Sequence, residues 1–160
     1  MEILADDFLY FMYRALDGMV NIAEELGDKR VNLRPDFPGA NSPYVILYHS
    51  VCCTHFWCGT ILAGRKIERD RDAEFQSKGT VSELRQAVKD LKRQLPNDLE
   101  HLQAHLPLED PDDLLPVHLL DGVRHWRQGK ALIHAYEELA QHHGQMEITR
   151  DILMQNHKSF

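Results

Sequence analysis

The chain has 160 residues, of which 43% are hydrophobic and 27% charged, and its formal charge is −7. That length suits a single domain with a substantial core, residues 1–160, and the acidic balance argues against nucleic acid as a partner. No apolar run reaches the length expected of a membrane span, and the opening MEILADDFLYFMYR lacks the basic start and small-residue cleavage site of a secretory signal. Neither membrane nor export is therefore expected. The three cysteines, Cys52, Cys53 and Cys58, crowd one short stretch. An odd count on one helix makes no disulfide framework, so a reducing cytoplasm is the expected compartment.

In chain order, the first helix is expected over residues 2–25. Leu4, Phe8, Met12, Ala15, Met19 and Ala23 recur at three- and four-residue steps, and Gly27 follows as a stop. Residues 28–40 hold two prolines and read as a loop across one end of a bundle. Asn41 or Ser42 caps a second helix, Pro43 suits its first turn, and Gly64 ends it after Ala63. The linker over 65–79 is dense in charge and reads as a solvated loop, with Phe75 as a contact to the bundle. Thr80 and Glu83 form a capping box for a third helix with a Leu84, Val88, Leu91, Leu95 stripe. Pro96 is expected to kink or end it, with a further short helix over 97–106. Residues 107–129 form a long Pro-rich connection, of the kind that usually covers something, with Trp126 buried or lining a pocket. The fourth helix spans 130–155. Four amphipathic segments imply an all-α fold, a four-helix bundle in up-down-down-up order with a long irregular connection before the last helix.

Two of these helices carry ligand-type groups on apolar faces. In LIHAYEELAQHHGQMEITRDIL, His134, Glu138 and His142 follow at successive four-residue steps. On a wheel centred on His142, Ala131, Ala135, Leu139, Met146 and Leu153 lie within about 60°, Glu138 about 40° to one side and His134 about 80°. In the second helix Val45, Ile46, Cys53 and Phe56 lie within about 60° of His49, whereas His55 is about 120° away and suits the surface. His143 lies about 100° around from His142 and is expected outside the first shell. His101, His105, His118, His125 and His157 sit in polar, exposed surroundings. Burying a carboxylate without a partner costs several kcal/mol, roughly, or protonates it. A divalent metal removes that cost, since imidazole and carboxylate are both ligands. His49, Glu138 and His142 are the expected metal ligands. Three protein ligands with a vacant fourth position is a catalytic arrangement, the vacancy being open to water or an incoming thiolate. His134 can be a fourth ligand, an outer partner that orients Glu138, or a general base, and the outer role is preferred. Cys52 and Cys53 compete for ligation but read as ordinary small core residues. Gln145 can reach the pocket or an adjacent helix. Zinc or nickel is expected, although nitrogen and oxygen donors choose weakly among first-row ions.

These residues resemble the DinB-like superfamily of metal-binding four-helix bundles, nearest the metal-binding domain of mycothiol-dependent maleylpyruvate isomerase. The segments that carry the resemblance are Ala40-Asn41-Ser42-Pro43 leading to His49, Phe56-Trp57, Leu62-Ala63-Gly64, and the Leu132–Leu153 stretch, similar to that branch's H-x-x-x-E-x-x-x-H-x-G-H pattern. Gln145 stands where that branch often has a second histidine. The resemblance implies His49, Glu138 and His142 as the metal set, and mycothiol or bacillithiol as a cofactor. The isomerase's C-terminal domain has no counterpart in these 160 residues, so the resemblance implies a site more than that isomerisation.

The expected function is a metal-dependent transferase that joins a low-molecular-weight thiol to an electrophilic substrate, because thiolate rather than thiol is the nucleophile. A non-catalytic, stress-related metal or small-molecule binding protein and a metal-dependent hydrolase are the alternatives. A homodimer is expected, since small bundles often pair through apolar helix faces.

Overall fold

Helix α1 (Ala5–Val31) places Leu9, Met12, Leu16, Met19 and Ile22 on its buried stripe. The computed structural model describes residues 3–109 and 122–155. Gly27 interrupts α1 with φ 65° and ψ 171°, the left-handed φ that favours glycine. The expected stop is therefore a break rather than an end, and the chain regains a helical turn through Val31. Its flanking side chains explain why. Asp28 Oδ1 accepts from Val81 N at 2.7 Å, and Asn32 exchanges two hydrogen bonds with Gly79, at 2.8 and 3.1 Å. The extra turn is tied to the start of another helix and buries Val31 completely.

Helix α2 (Pro43–Thr54) starts as expected, with Ser42 Oγ accepting from Val45 N at 3.2 Å. It runs on without interruption into a π-helical segment, His55–Leu62, which closes with Ala63 N donating to Cys58 O at 3.1 Å. Hydropathy gives no hint of that widening. Gly64, at φ 65°, then turns the chain out of the helix. Contrary to the sequence expectation, Pro43–Leu62 does satisfy the length and composition of a membrane span. In this fold 78% of its most apolar window is buried inside the protein, which accounts for that apolar character.

The linker holds a short helix, α3 (Arg71–Glu74), capped by Asp70 through Ala73 N at 3.0 Å. Helix α4 (Val81–Leu99) opens with the expected capping box: Glu83 N donates to Thr80 Oγ1 at 3.2 Å, and Thr80 N donates to Glu83 Oε2 at 2.7 Å. Pro96 does not end it. Proline removes the donor that would satisfy the carbonyl four residues back, which is Lys92. Tyr13 Oη of α1 donates to that same Lys92 carbonyl at 3.0 Å, so the orphaned acceptor is satisfied and the helix continues to Leu99. The separate helix expected over 97–106 is accordingly absent among the described residues.

Helix α5 (Gln128–Gln155) matches its expected span closely. Most of the long connection before it, with His118, lies outside the described residues, as does His157. The two described ends of that connection meet in a bridge between Pro107 and Arg127. Side-chain pairs fix the helix directions. Asp17 with Lys92 and Glu24 with Arg85 make α1 and α4 antiparallel. Phe8 with Tyr136 and Glu25 with Arg150 make α1 and α5 parallel. His49 with His142 and Trp57 with His134 make α2 and α5 antiparallel. The order is up-down-down-up, and the core lies between α1, α2, α4 and α5.

Candidate metal centre

Antiparallel packing brings the middle of α2 against the middle of α5. On α2, His49 and Cys53 are one turn apart and both buried, at 5% and 6% exposure. On α5, Glu138 and His142 are one turn apart and half-buried. Ligand atoms of His49, Cys53 and Glu138 lie within 4.8 Å of one another. The His142 ring stands edge-on to His49 with centroids 5.1 Å apart, and its Nε2 is 3.4 Å from Glu138 Oε2. The donors that lie together within that distance are thus His49, Cys53 and Glu138, with His142 outside that group but against both His49 and Glu138. Cys53 reads from sequence as a competitor for ligation or an ordinary small core residue. Cys53 is both: it packs in the apolar cluster and carries its sulfur among the other donors.

Each imidazole is held from behind. His49 Nδ1 is 2.6 Å from Glu74 Oε2, and Glu74 is only 3% exposed. An ionised carboxylate only accepts, so the ring proton sits on Nδ1 and Nε2 keeps the lone pair a metal needs. Arg69 grips the same carboxylate through Nε at 2.6 Å and Nη2 at 3.0 Å, and its guanidinium lies over the Phe56 ring. Phe75 packs on His49 with centroids 4.8 Å apart. The charged linker, expected to be a solvated loop, therefore supplies the buried partner of a site histidine. Its available signals were Asp70, an N-cap residue, and Phe75, an aromatic within a charged run. On α5, His142 Nδ1 is 3.0 Å from Gln145 Oε1, and its Nε2 is the ring nitrogen turned toward Glu138.

His134 is half-buried, with Nδ1 3.2 Å from Glu137 Oε2 and Nε2 3.5 Å from Glu138 Oε1. Glu138 thus stands between an imidazole one turn before it and one a turn after. The His134 ring is edge-on to Trp57 and Trp126, which stack 5.8 Å apart at 19°. Trp126 is half-buried and forms an aromatic wall beside the carboxylate. Two other histidines stand apart from the centre. His143 covers Gly18 of α1, where an added Cβ would collide with its ring. His55, expected at the surface, is half-buried with Nδ1 3.3 Å from Arg65 Nη2. Gly59 permits this, because a Cβ there would strike the Arg65 guanidinium that also reaches Asp98 at 2.7 Å. His101, His105 and His125 are exposed, as expected.

The electrostatics follow from these contacts. Burial holds the His49 pKa below the usual histidine value. The hydrogen bond with Glu138 raises that of His142, and the same contact lowers Glu138. Burial pushes the thiols of Cys52 and Cys53 up to about 11 and about 12. Without a metal neither is a thiolate at neutral pH. Behind the centre, between the π-helical segment and the linker, lies a cavity of about 260 Å³ lined by Tyr48, Cys52, Phe56, Thr60, Arg69 and Glu74.

The donor chemistry suits a divalent ion: two imidazoles, one of them backed by a buried carboxylate, a carboxylate held below its usual range, and a thiol close by. No curated protein matches the sequence. The pattern of one known family, described as mycothiol-S-transferase, matches residues 7–155. With nearly the whole bundle and every residue of the candidate centre inside that match, the chain belongs to the mycothiol-S-transferase family.

Proposed function

We propose that this protein is a metal-dependent transferase that joins mycothiol, or a related low-molecular-weight thiol such as bacillithiol, to an electrophilic small molecule. His49, Glu138 and His142 would hold the metal, zinc or nickel. What supports this reading is the approach of His49 on one helix to Glu138 and His142 on another, with Glu74 behind the His49 ring and Gln145 beside that of His142. A bound cation supplies positive charge that stabilises a thiolate at neutral pH. The protein's own residues do the rest. Glu138 contributes negative charge and His134 holds its second oxygen. Trp57 and Trp126 offer an apolar wall on that side for the electrophile. The family assignment supports the thiol, and the placement of His49 on one helix and of Glu138 and His142 one turn apart on its antiparallel neighbour supports the ligand set. A homodimer acting in the cytoplasm completes the proposal.

Elemental analysis of the purified protein tests the ligand set. Wild type should carry about one divalent ion per chain, and His49→Ala and His142→Ala should lose it. Equal metal content in all three would show that the ligands are wrong. Metal-loaded protein incubated with mycothiol, bacillithiol or glutathione and a standard electrophile should turn over with at least one of them. Absence of turnover with all three would defeat the transferase reading.

A further inference from the structure

We infer that Cys53 is a fourth protein ligand, so that the resting centre is closed by a His-Cys-Glu-His set rather than left with an open seat. This rests on the metal-site reading above and goes beyond it, because the sulfur comes from a residue outside the three-ligand set. The helices supply the donors in matched pairs. His49 and Cys53 are one turn apart on α2, and Glu138 and His142 are one turn apart on the antiparallel α5. Residues four apart share a helix face, so both pairs look into the same gap. The sulfur is not remote from the others: it lies within 4.8 Å of both the His49 and Glu138 ligand atoms. Donors around a tetrahedral zinc ion stand about 3.3–3.8 Å apart, from bond lengths of about 2.0–2.3 Å. Drawing these three donors onto an ion therefore needs movements of about 1 Å, within reach of side-chain torsions alone, and His142, outside that group, joins them from its place against His49 and Glu138. Cys52, on the neighbouring face, instead lines the cavity behind the centre, and Cys58 is a full turn beyond Cys53.

On ligation the Cys53 thiol gives its proton to solvent, and a sulfur lone pair forms the metal bond. No oxidant or reductant is needed. A closed set places a protein sulfur in the seat that a substrate thiol has to take, so the substrate competes with Cys53 for the metal.

Cobalt(II) substitution tests this with a readout independent of turnover. A cobalt–thiolate bond gives a near-ultraviolet charge-transfer band, which nitrogen and oxygen ligands do not. Wild type loaded with one equivalent of cobalt should show the band. Cys53→Ser and Cys53→Ala should lose it while still binding cobalt, and Cys52→Ser and Cys58→Ser should keep it. Circular dichroism verifies that each variant is folded. Cobalt bound by wild type without the band, or a band that survives in both Cys53 variants, overturns the Cys53 assignment alone. Failure of wild type to bind cobalt at all overturns the metal-site reading with it.

Discussion

Replacing Glu74 probes the coupling between the linker and the centre most directly. Glu74→Ala removes the acceptor 2.6 Å from His49 Nδ1 and both contacts to Arg69. The imidazole then loses its orientation and its fixed tautomer. Loss of such an outer partner typically lowers metal affinity about 10- to 100-fold. That is about 1.4–2.7 kcal/mol of binding free energy. Stability falls by a separate route. Arg69, whose side chain is only 18% exposed, is left without its carboxylate, and breaking a buried pair from one side costs about 3 kcal/mol at the lower end of the usual range. Two further variants separate these effects. Glu74→Gln keeps an acceptor for Nδ1–H but not the charge, so it should lose less affinity than Glu74→Ala. Adding Arg69→Leu to Glu74→Gln should recover part of the stability, because the unpaired charge is gone. Metal affinity is read by competition with a chromogenic chelator, and stability by urea unfolding of the metal-free protein. A folded Glu74→Ala protein that binds metal as tightly as wild type would refute the assignment of Glu74 as the partner that orients His49.

Titration of the metal-free protein gives an ordered pair of histidines. NMR of the imidazole carbons should show His142 titrating above the ordinary value near 6.5 and His49 below it, and the reverse order would contradict the contacts described. The two shifts act oppositely on stability. The contribution of His142 is fully present below the unfolded value of 6.5 and is lost as pH rises through its raised folded value. The neutral burial of His49 carries no penalty above 6.5, but destabilises increasingly as pH falls from there toward its depressed folded value, because the unfolded chain takes up the proton more readily. His49→Phe should therefore flatten the acid limb of the stability curve. At Tyr13→Phe the Lys92 carbonyl loses the hydroxyl that stands in for the missing Pro96 donor. Urea unfolding should show a loss of about 1 kcal/mol, with metal affinity unchanged. No loss would mean that water serves that carbonyl equally well.

Much of the molecule is decided by local rules. Three- and four-residue apolar spacing in α1, α4 and α5 depends on nothing beyond the chain nearby, and neither do the Ser42 cap, the Thr80–Glu83 box and the Gly64 stop. The same spacing placed His49 on one apolar face and Glu138 and His142 on another. What it could not supply was any fact about contacts between distant segments. Pro96 looked like a helix end until Tyr13, 79 positions away from Lys92, was seen to satisfy the freed carbonyl. Gly27 looked like a terminus because the hydrogen bonds of Asp28 and Asn32 to residues near 80 are not local. The charged run over 65–79 looked solvated because charge favours water unless a partner is buried with it. Glu74 has two such partners, His49 and Arg69, and only the folded chain brings them together. Cys53 shows the same limit. One turn after His49 a thiol is indistinguishable from a small apolar residue, and the position of Glu138 across the helix interface is what makes it a candidate donor.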